Sequence, residues 1–461
     1  MKVPLDAAIA AAGARALATP SEGELVAFST DTRTLAPGDA FVALRGERFD
    51  GHDYVRQALA AGATLLVVDD PSVVPSGVAA LVVRDTTHAY LAFAAVARAR
   101  SAARIVAVPG SAGKTTTKNF LDQILRRVQQ GLVVTTPGNE NNEIGVAKLL
   151  LALPEDAAFV VIEMGARHFG EIVPLARAAR PELAIVTNIG DAHLEIFGSQ
   201  ERLEQTKWGI FATGARRILG ASDARSRRLA SRPSDGVATT WFALDELPET
   251  PAGDAGAVLF GRERLVHKTR FGAREFPTDV RVPGDHNRLN AAAAAAAALE
   301  LGFDGAAVAA ALGSLALPPG RYERIALGDM ALLYDAYNAS MGGTLATLAS
   351  FAREPAERRI AVLGSMAELG PDAAAMHARV GAAAAGSVDL LLVGGEHADD
   401  LARGARGAGF DASRIVPFGD NASAVSWLRH NVRAGDLVLL KASRRYKLEE
   451  IVEGLRSVHA G

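Results

Sequence analysis

The chain has 461 residues, of which 49% are hydrophobic and 22% charged, with a net charge of −3 and no cysteine. That length suits about three domains at ~150 residues each, with ample apolar material for a core in every one. The missing cysteines exclude disulfides, thiolate metal sites and a cysteine nucleophile, and the near-neutral charge gives no reason to expect nucleic acid or an anionic membrane as partner. The start, Met1 to Asp6, lacks the apolar core of a signal peptide. No apolar run outside one alanine-rich tract approaches ~18 residues, so a cytoplasmic protein with no membrane span is expected.

The predicted elements group into three α/β units. In the first, residues 1–100, Leu25 to Phe28 and Ala40 to Leu44 read as short strands around the turn Ala36-Pro37-Gly38-Asp39. A polar loop, a helix to about Ala61 and a strand from Thr64 to Asp69 follow. Ser29-Thr30-Asp31-Thr32-Arg33 is a polar knot at a strand end, where a small ligand could sit. Spacing alone favours a plain solvated turn there.

The second unit, residues 101–316, opens on Ile105 to Val108, a strand-length apolar run. Gly110-Ser111-Ala112-Gly113-Lys114-Thr115-Thr116 and a helical pattern follow. Strand, glycine-rich loop and helix in that order suit a polyphosphate: loop N–H groups turn inward, Lys114 adds a charge and Thr115 an oxygen for Mg²⁺. Val108 stands where the usual pattern has its first glycine, so an ordinary strand-to-helix turn is the competing reading. Two further apolar strands, Ala158 to Ile162 and Leu183 to Val186, end at Glu163 and near His193. Strands alternating with helices imply a parallel sheet, whose ligands sit beyond the C-terminal strand ends. The phosphate loop, Glu163 and His193 are therefore expected to converge. Asn139 and Asn142 lie in an Asn- and Gly-rich loop that is either an Asx-rich turn or a set of amides for a ligand. Residues 225 to 278 read as an insertion or β-rich margin. Asn287 and Asn290 precede eight alanines, Ala291 to Ala298, and could cap that helix or reach a nucleotide.

The third unit, residues 317–461, begins at Pro318-Pro319-Gly320. Strands at Ala331 to Tyr334, Ile360 to Leu363, Leu390 to Val393, Ile415 to Val416 and Leu437 to Leu440 alternate with helices. This reads as a Rossmann-like sheet without a dinucleotide glycine motif.

Taken together, D-T-R (31–33), F-D-G-H-D-Y (49–54), G-S-A-G-K-T-T (110–116), T-P-G-N-E-N-N-E-I-G-V (136–146), E-M-G-A (163–166), G-D-H-N-R-L-N (284–290), Y-D-A-Y-N-A (334–339) and K-A-S-R (441–444) resemble the Mur ligases of peptidoglycan synthesis. The resemblance spans nearly the whole chain. It implies a uridine-nucleotide domain, an ATP-binding P-loop domain and a Rossmann-like domain. It also implies ATP-driven amide ligation through an acyl phosphate, releasing ADP and phosphate, by a monomer acting on small molecules. E-M-G-A and Y-N-A look most like the member that adds D-alanyl-D-alanine to UDP-N-acetylmuramoyl-tripeptide. By residue, the resemblance implies ATP at residues 110–116, Asn287, Asn290, Arg321 and Asp335. Thr115, Glu163, His193 and a carbamylated Lys207 would hold Mg²⁺, and Thr30, Asp31, Arg33, Asn139 and Asn142 the nucleotide substrate. Lys114, Glu163, His193 and Lys207 are the implied catalytic set. Ligands are expected to bring the third domain onto the second, delivering Arg321 and Asp335. The sister ligases, a folate-type ligase and a non-catalytic nucleotide-binding regulator are the rivals. The first domain speaks against the folate enzyme, and the intact catalytic set against the regulator.

Overall fold

The structure is a computed structural model that describes residues 1–18, 24–46, 49–190, 194–231, 237–248, 256–261 and 263–459. Three large sheets follow one another along the chain. The first has the spatial order Arg15–Ala18, Ala80–Val82, Leu65–Val68, Ala40–Val42, Phe28–Ser29, all parallel except the Arg15 edge. Leu25 to Phe28 is therefore not one strand. Leu25–Val26 pairs with Val3–Pro4 in a separate ribbon, and Phe28–Ser29 joins the main sheet.

The central sheet has nine strands. From one edge they run Leu132–Thr135, Ala157–Glu163, Arg104–Val108, Leu183–Val186, Arg216–Gly220, Thr239–Leu244 and Gly256–Phe260, all parallel. The hairpin Arg264–Thr269 and Gly272–Pro277 closes the other edge antiparallel. Arg104–Val108, the first of these strands in the chain, lies between the third and fourth, so the strand order reverses beside it. That crevice is where a doubly wound sheet offers its ligand site. Residues 225 to 278 supply a helix, Ala224–Ala230, and four strands of this sheet. They are a β-rich margin and not an insertion.

The alanine tract lies in the helix Asp285–Glu300. All eight alanines are fully buried against the helix Lys114–Val128 and the strands Thr239–Leu244 and Gly256–Phe260. Alanine's short side chain lets these elements approach closely while holding a helix well. Gly284 caps the helix, so neither asparagine does.

The first and second units share one apolar core. The helix Thr86–Ala99 stacks Phe93 on Phe28 at 4.2 Å and packs its other face on the helices Glu143–Leu151 and Ile172–Ala179. The third sheet runs Glu323–Leu327, Met330–Tyr334, Asp436–Lys441, Arg358–Leu363, Leu390–Gly394, Ile415–Phe418, parallel except for the first strand. It leans on the second unit through Arg353 and Asp285 (2.6 Å) and through the His286 ring edge-on to Tyr322.

Candidate active site

The loop after Arg104–Val108 is held from beside, by the end of the neighbouring strand. Ser111 N–H donates to Asn188 O (3.0 Å), and Ala112 N–H to Asn188 Oδ1 (3.0 Å). Thr187 Oγ1 donates to Ala112 O (2.6 Å), and Gly190 N–H to Ser111 Oγ (2.9 Å). With Ser111 and Ala112 so occupied, the donors left for an anion include those of the helix start, Lys114, Thr115 and Thr116. Helix geometry gives these no intrahelical acceptor, and the helix dipole favours negative charge there. Gly110 (φ +149°) and Gly113 (φ +80°) turn the loop. A Cβ would strike Thr187 Oγ1 at the first and Asn290 Oδ1 at the second. Gly110→Ala is expected to weaken ATP binding at least tenfold with the global fold retained, as read by nucleotide titration beside circular dichroism.

Glu163 ends the adjacent strand and is buried. Its Oε1 accepts from Asn141 Nδ2 (2.7 Å), whereas its Oε2 has no hydrogen-bond partner. Four cations face this carboxylate or each other. Lys118 Nζ lies 3.8 Å from Oε2, and the half-buried Lys114 and Arg321 both feel its charge. Arg321 comes from the third unit, donates to Thr115 Oγ1 (3.0 Å) and lies over the Tyr337 ring. Buried Lys207 feels the Lys114 ammonium. Burial lowers the pKa of all four; Arg321 adds to the effect at Lys114 and Lys118, and Glu163 opposes it at Lys114, Lys118 and Arg321. A desolvated cluster with more cations than anions is a site built for a polyanion.

Lys207 is pulled down to about 7, by burial and then by Lys114, with Glu171 partly opposing. Its ammonium sits 5.8 Å over the Phe197 ring, and among the described residues no carboxylate lies within ion-pair distance. A buried amine that is partly neutral at pH 7 can take up CO₂, so a carbamate fits here. His193 lies outside the described residues.

The other expected site residues are sorted by the structure. Asn290 lies against Gly113 and accepts from Thr117 Oγ1 (3.3 Å), but Asn287 is buried with its amide donated to Pro283 O (3.0 Å). Asp335 is engaged inside the third unit, by Tyr322 N–H (3.2 Å), Thr347 Oγ1 (2.6 Å) and Lys441 Nζ (3.0 Å). The structure thus places Arg321 at the start of the helix after the glycine-rich loop, and Asp335 accepts from the backbone of its neighbour Tyr322. In the first unit Arg33 grips Asp31 through two nitrogens, and that grip drives the Asp31 carboxyl down to about 2. Thr30 sits beside this pair. Lys148 lies within electrostatic reach of Asp31 and pairs with Glu140 (3.2 Å), which links the knot to the loop bearing Asn139 and Asn142. Asn142 Oδ1 caps the helix Glu143–Leu151, and exposed Asn139 is free to face a ligand.

Comparison with known proteins agrees with this layout. Residues 25–107 match the family described as Mur ligase family, catalytic domain. Residues 108–298 match the Mur ligase middle domain, and 320–444 the Mur ligase, glutamate ligase domain. The chain belongs to the Mur ligase family. It is 38% identical over 434 residues to a UDP-N-acetylmuramoyl-tripeptide–D-alanyl-D-alanine ligase of Synechocystis sp., covering 92% of this chain and 91% of that one. Its fold superposes on a crystal structure of MurF from Acinetobacter baumannii with a TM-score of 0.84 at 27% identity, covering 99% of both chains. It also superposes on MurF ligase from Thermotoga maritima in complex with ADP, with a TM-score of 0.78 at 26% identity, covering 94% and 98%.

Membership of the Mur ligases implies magnesium. The orphaned, buried Glu163 Oε2 is the hard anionic oxygen such an ion prefers, and Thr115 Oγ1 stands at the start of the helix that follows the loop. Among the described residues no group of three or more His, Cys, Asp or Glu side chains could hold a metal. Sequence reading missed Lys118, Asn141, Thr187 and Asn188. Each acts through contacts with residues distant in sequence, for which no local pattern exists.

Proposed function

We propose that this chain joins D-alanyl-D-alanine to UDP-N-acetylmuramoyl-tripeptide at the expense of ATP, as a cytoplasmic monomer in peptidoglycan precursor synthesis. The observation that carries the reading is the convergence of Lys114 and Arg321 on the buried carboxylate of Glu163, with Lys207 within electrostatic reach of Lys114, at the reversal point of the central sheet. Lys114 and the helix-start N–H groups hold the β- and γ-phosphate oxygens, and Arg321 adds charge from the third unit. An oxygen of the tripeptide's terminal carboxylate bonds to the γ-phosphorus as the bond to ADP breaks. The dipeptide amine then bonds to the acyl carbon and loses a proton, and phosphate leaves with that carboxylate oxygen. Glu163 and Thr115 would hold one magnesium ion, and His193 with carbamylated Lys207 a second; when bound, these ions neutralise the phosphate charge. Thr30, Asp31, Arg33 and Asn139 offer the nucleotide substrate a polar face beside that centre.

Phosphate release in the presence of UDP-N-acetylmuramoyl-tripeptide, ATP and a panel of amines tests the assignment. Release should require D-alanyl-D-alanine. Release driven instead by diaminopimelate, lysine or glutamate would assign the chain to a sister reaction.

A further inference from the structure

The helix that begins at the phosphate loop carries a second lysine that the reaction above leaves unused as a phosphate ligand. Lys118 is buried one turn in, and its ammonium faces three acceptors on two other elements. Nζ donates to Thr136 O (2.7 Å) and Gly138 O (3.3 Å), and lies 3.8 Å from Glu163 Oε2. The same loop is tied to the strand end of Glu163 at two further points. Thr136 Oγ1 accepts from Glu163 N–H (2.9 Å). Asn141 donates to Glu163 Oε1 (2.7 Å) while its carbonyl accepts from Gly165 N–H (2.8 Å). Helix, loop and strand end thus close into one polar ring, with the three donors of an ammonium at its hub. Between those ties the loop presents Pro137, Gly138 and Asn139 outward, all exposed.

We propose that Lys118 is a positioning residue that locks the Thr136–Asn142 loop in the shape that receives the sugar-nucleotide peptide, before ATP or metal is bound. The proposal rests on the substrate assignment above. A methionine at 118 matches the length of the side chain but has no donor. It leaves two carbonyls uncompensated and frees the loop from the phosphate helix. The effect should fall on the nucleotide substrate and spare ADP, because Lys114 and the helix start are untouched.

The test is calorimetric titration of the whole protein with UDP-N-acetylmuramoyl-tripeptide in EDTA without ATP, paired with ADP titration and amide hydrogen exchange. Lys118→Met should bind the tripeptide nucleotide about tenfold more weakly, bind ADP within twofold of wild type, and exchange faster at residues 136–142 than at 114–128. Unchanged tripeptide affinity and unchanged exchange would overturn the proposal, as would an equal loss of ADP affinity. Failure of the wild-type protein to bind the tripeptide nucleotide would instead strike the substrate assignment, and the exchange data would still decide the loop. Should Lys118→Met not fold, Lys118→Gln, which keeps two N–H donors without the charge, is read by the same criteria with a smaller expected loss.

Discussion

Lys114→Ala is expected to lower the ligation rate about 100- to 1000-fold, the range seen when one preorganised donor to a developing anion is removed. Lys114 makes one long contact inside the protein, to Ser111 O at 3.5 Å. Its pKa is depressed first by burial and further by Arg321, so its charged form is held at a cost in the free enzyme. Folded-state depression of a lysine pKa means that stability falls as pH drops below the unfolded value and the group must charge. Replacing Lys114 should therefore leave the melting temperature at neutral pH unchanged or raised while activity collapses. Arg321 and the helix-start amides remain, so ADP should still bind, more weakly. Steady-state kinetics beside a thermal melt separates the two effects. Turnover near the wild-type rate would remove Lys114 from the phosphate role.

The second large effect is expected at Lys207. As an ammonium it repels both Lys114 and any magnesium ion; as a carbamate it carries a negative charge and two oxygens. Its pKa of about 7, set by burial and by Lys114, leaves the amine mostly neutral at pH 8, where it can react with CO₂. The sign follows: protonation as pH falls through about 7 removes the reactive amine, so bicarbonate-stimulated activity should fade below pH 7 and be full above it. A lysine with an ordinary pKa would show no such window. Lys207→Ala should lose most activity and regain part of it with a short-chain carboxylic acid in solution. A carbamate carbon resonance should appear in the wild-type protein supplied with ¹³C-bicarbonate and be absent from the variant. No resonance and no rescue would leave Lys207 a buried lysine without a carbamate.

Much of the architecture was readable before the structure, for a physical reason. Strands buried on both faces, such as Leu183–Val186 and Leu390–Gly394, are continuous apolar runs that their sequence marks directly. The glycines at 110 and 113 likewise announce a backbone that no side chain could share. The edge hairpin was harder to read. Gly272–Pro277 is largely exposed, so its residues lack both the alternation and the apolarity that identify a strand. The helices Leu5–Ala12 and Thr86–Ala99 were missed because alanine-rich segments carry little contrast between faces.

In the site, residues that stand in a local motif could be singled out from the sequence, and the structure brings Lys114, Thr115 and Glu163 to neighbouring ends of the central sheet. Residues whose function is to hold others could not be singled out. Asn141 looked like one more asparagine in a polar loop, but it supports the Glu163 carboxylate from 22 residues away. Asp335, for which family likeness suggests nucleotide contact, has its carboxylate held by Thr347, Tyr322 and Lys441, contacts that no local pattern in the sequence announces. Ser340 caps the helix Met341–Phe351, and Ala442 packs against Gly364.

The central claim is that one cleft brings the γ-phosphate of ATP to a substrate carboxylate, so that carboxylate oxygen must leave with the phosphate. UDP-N-acetylmuramoyl-tripeptide labelled with ¹⁸O in its terminal carboxylate, incubated with ATP, D-alanyl-D-alanine and the enzyme, puts this to mass spectrometry. Inorganic phosphate carrying one ¹⁸O per amide bond formed is the predicted result. Unlabelled phosphate accompanying a labelled amide product would contradict the account.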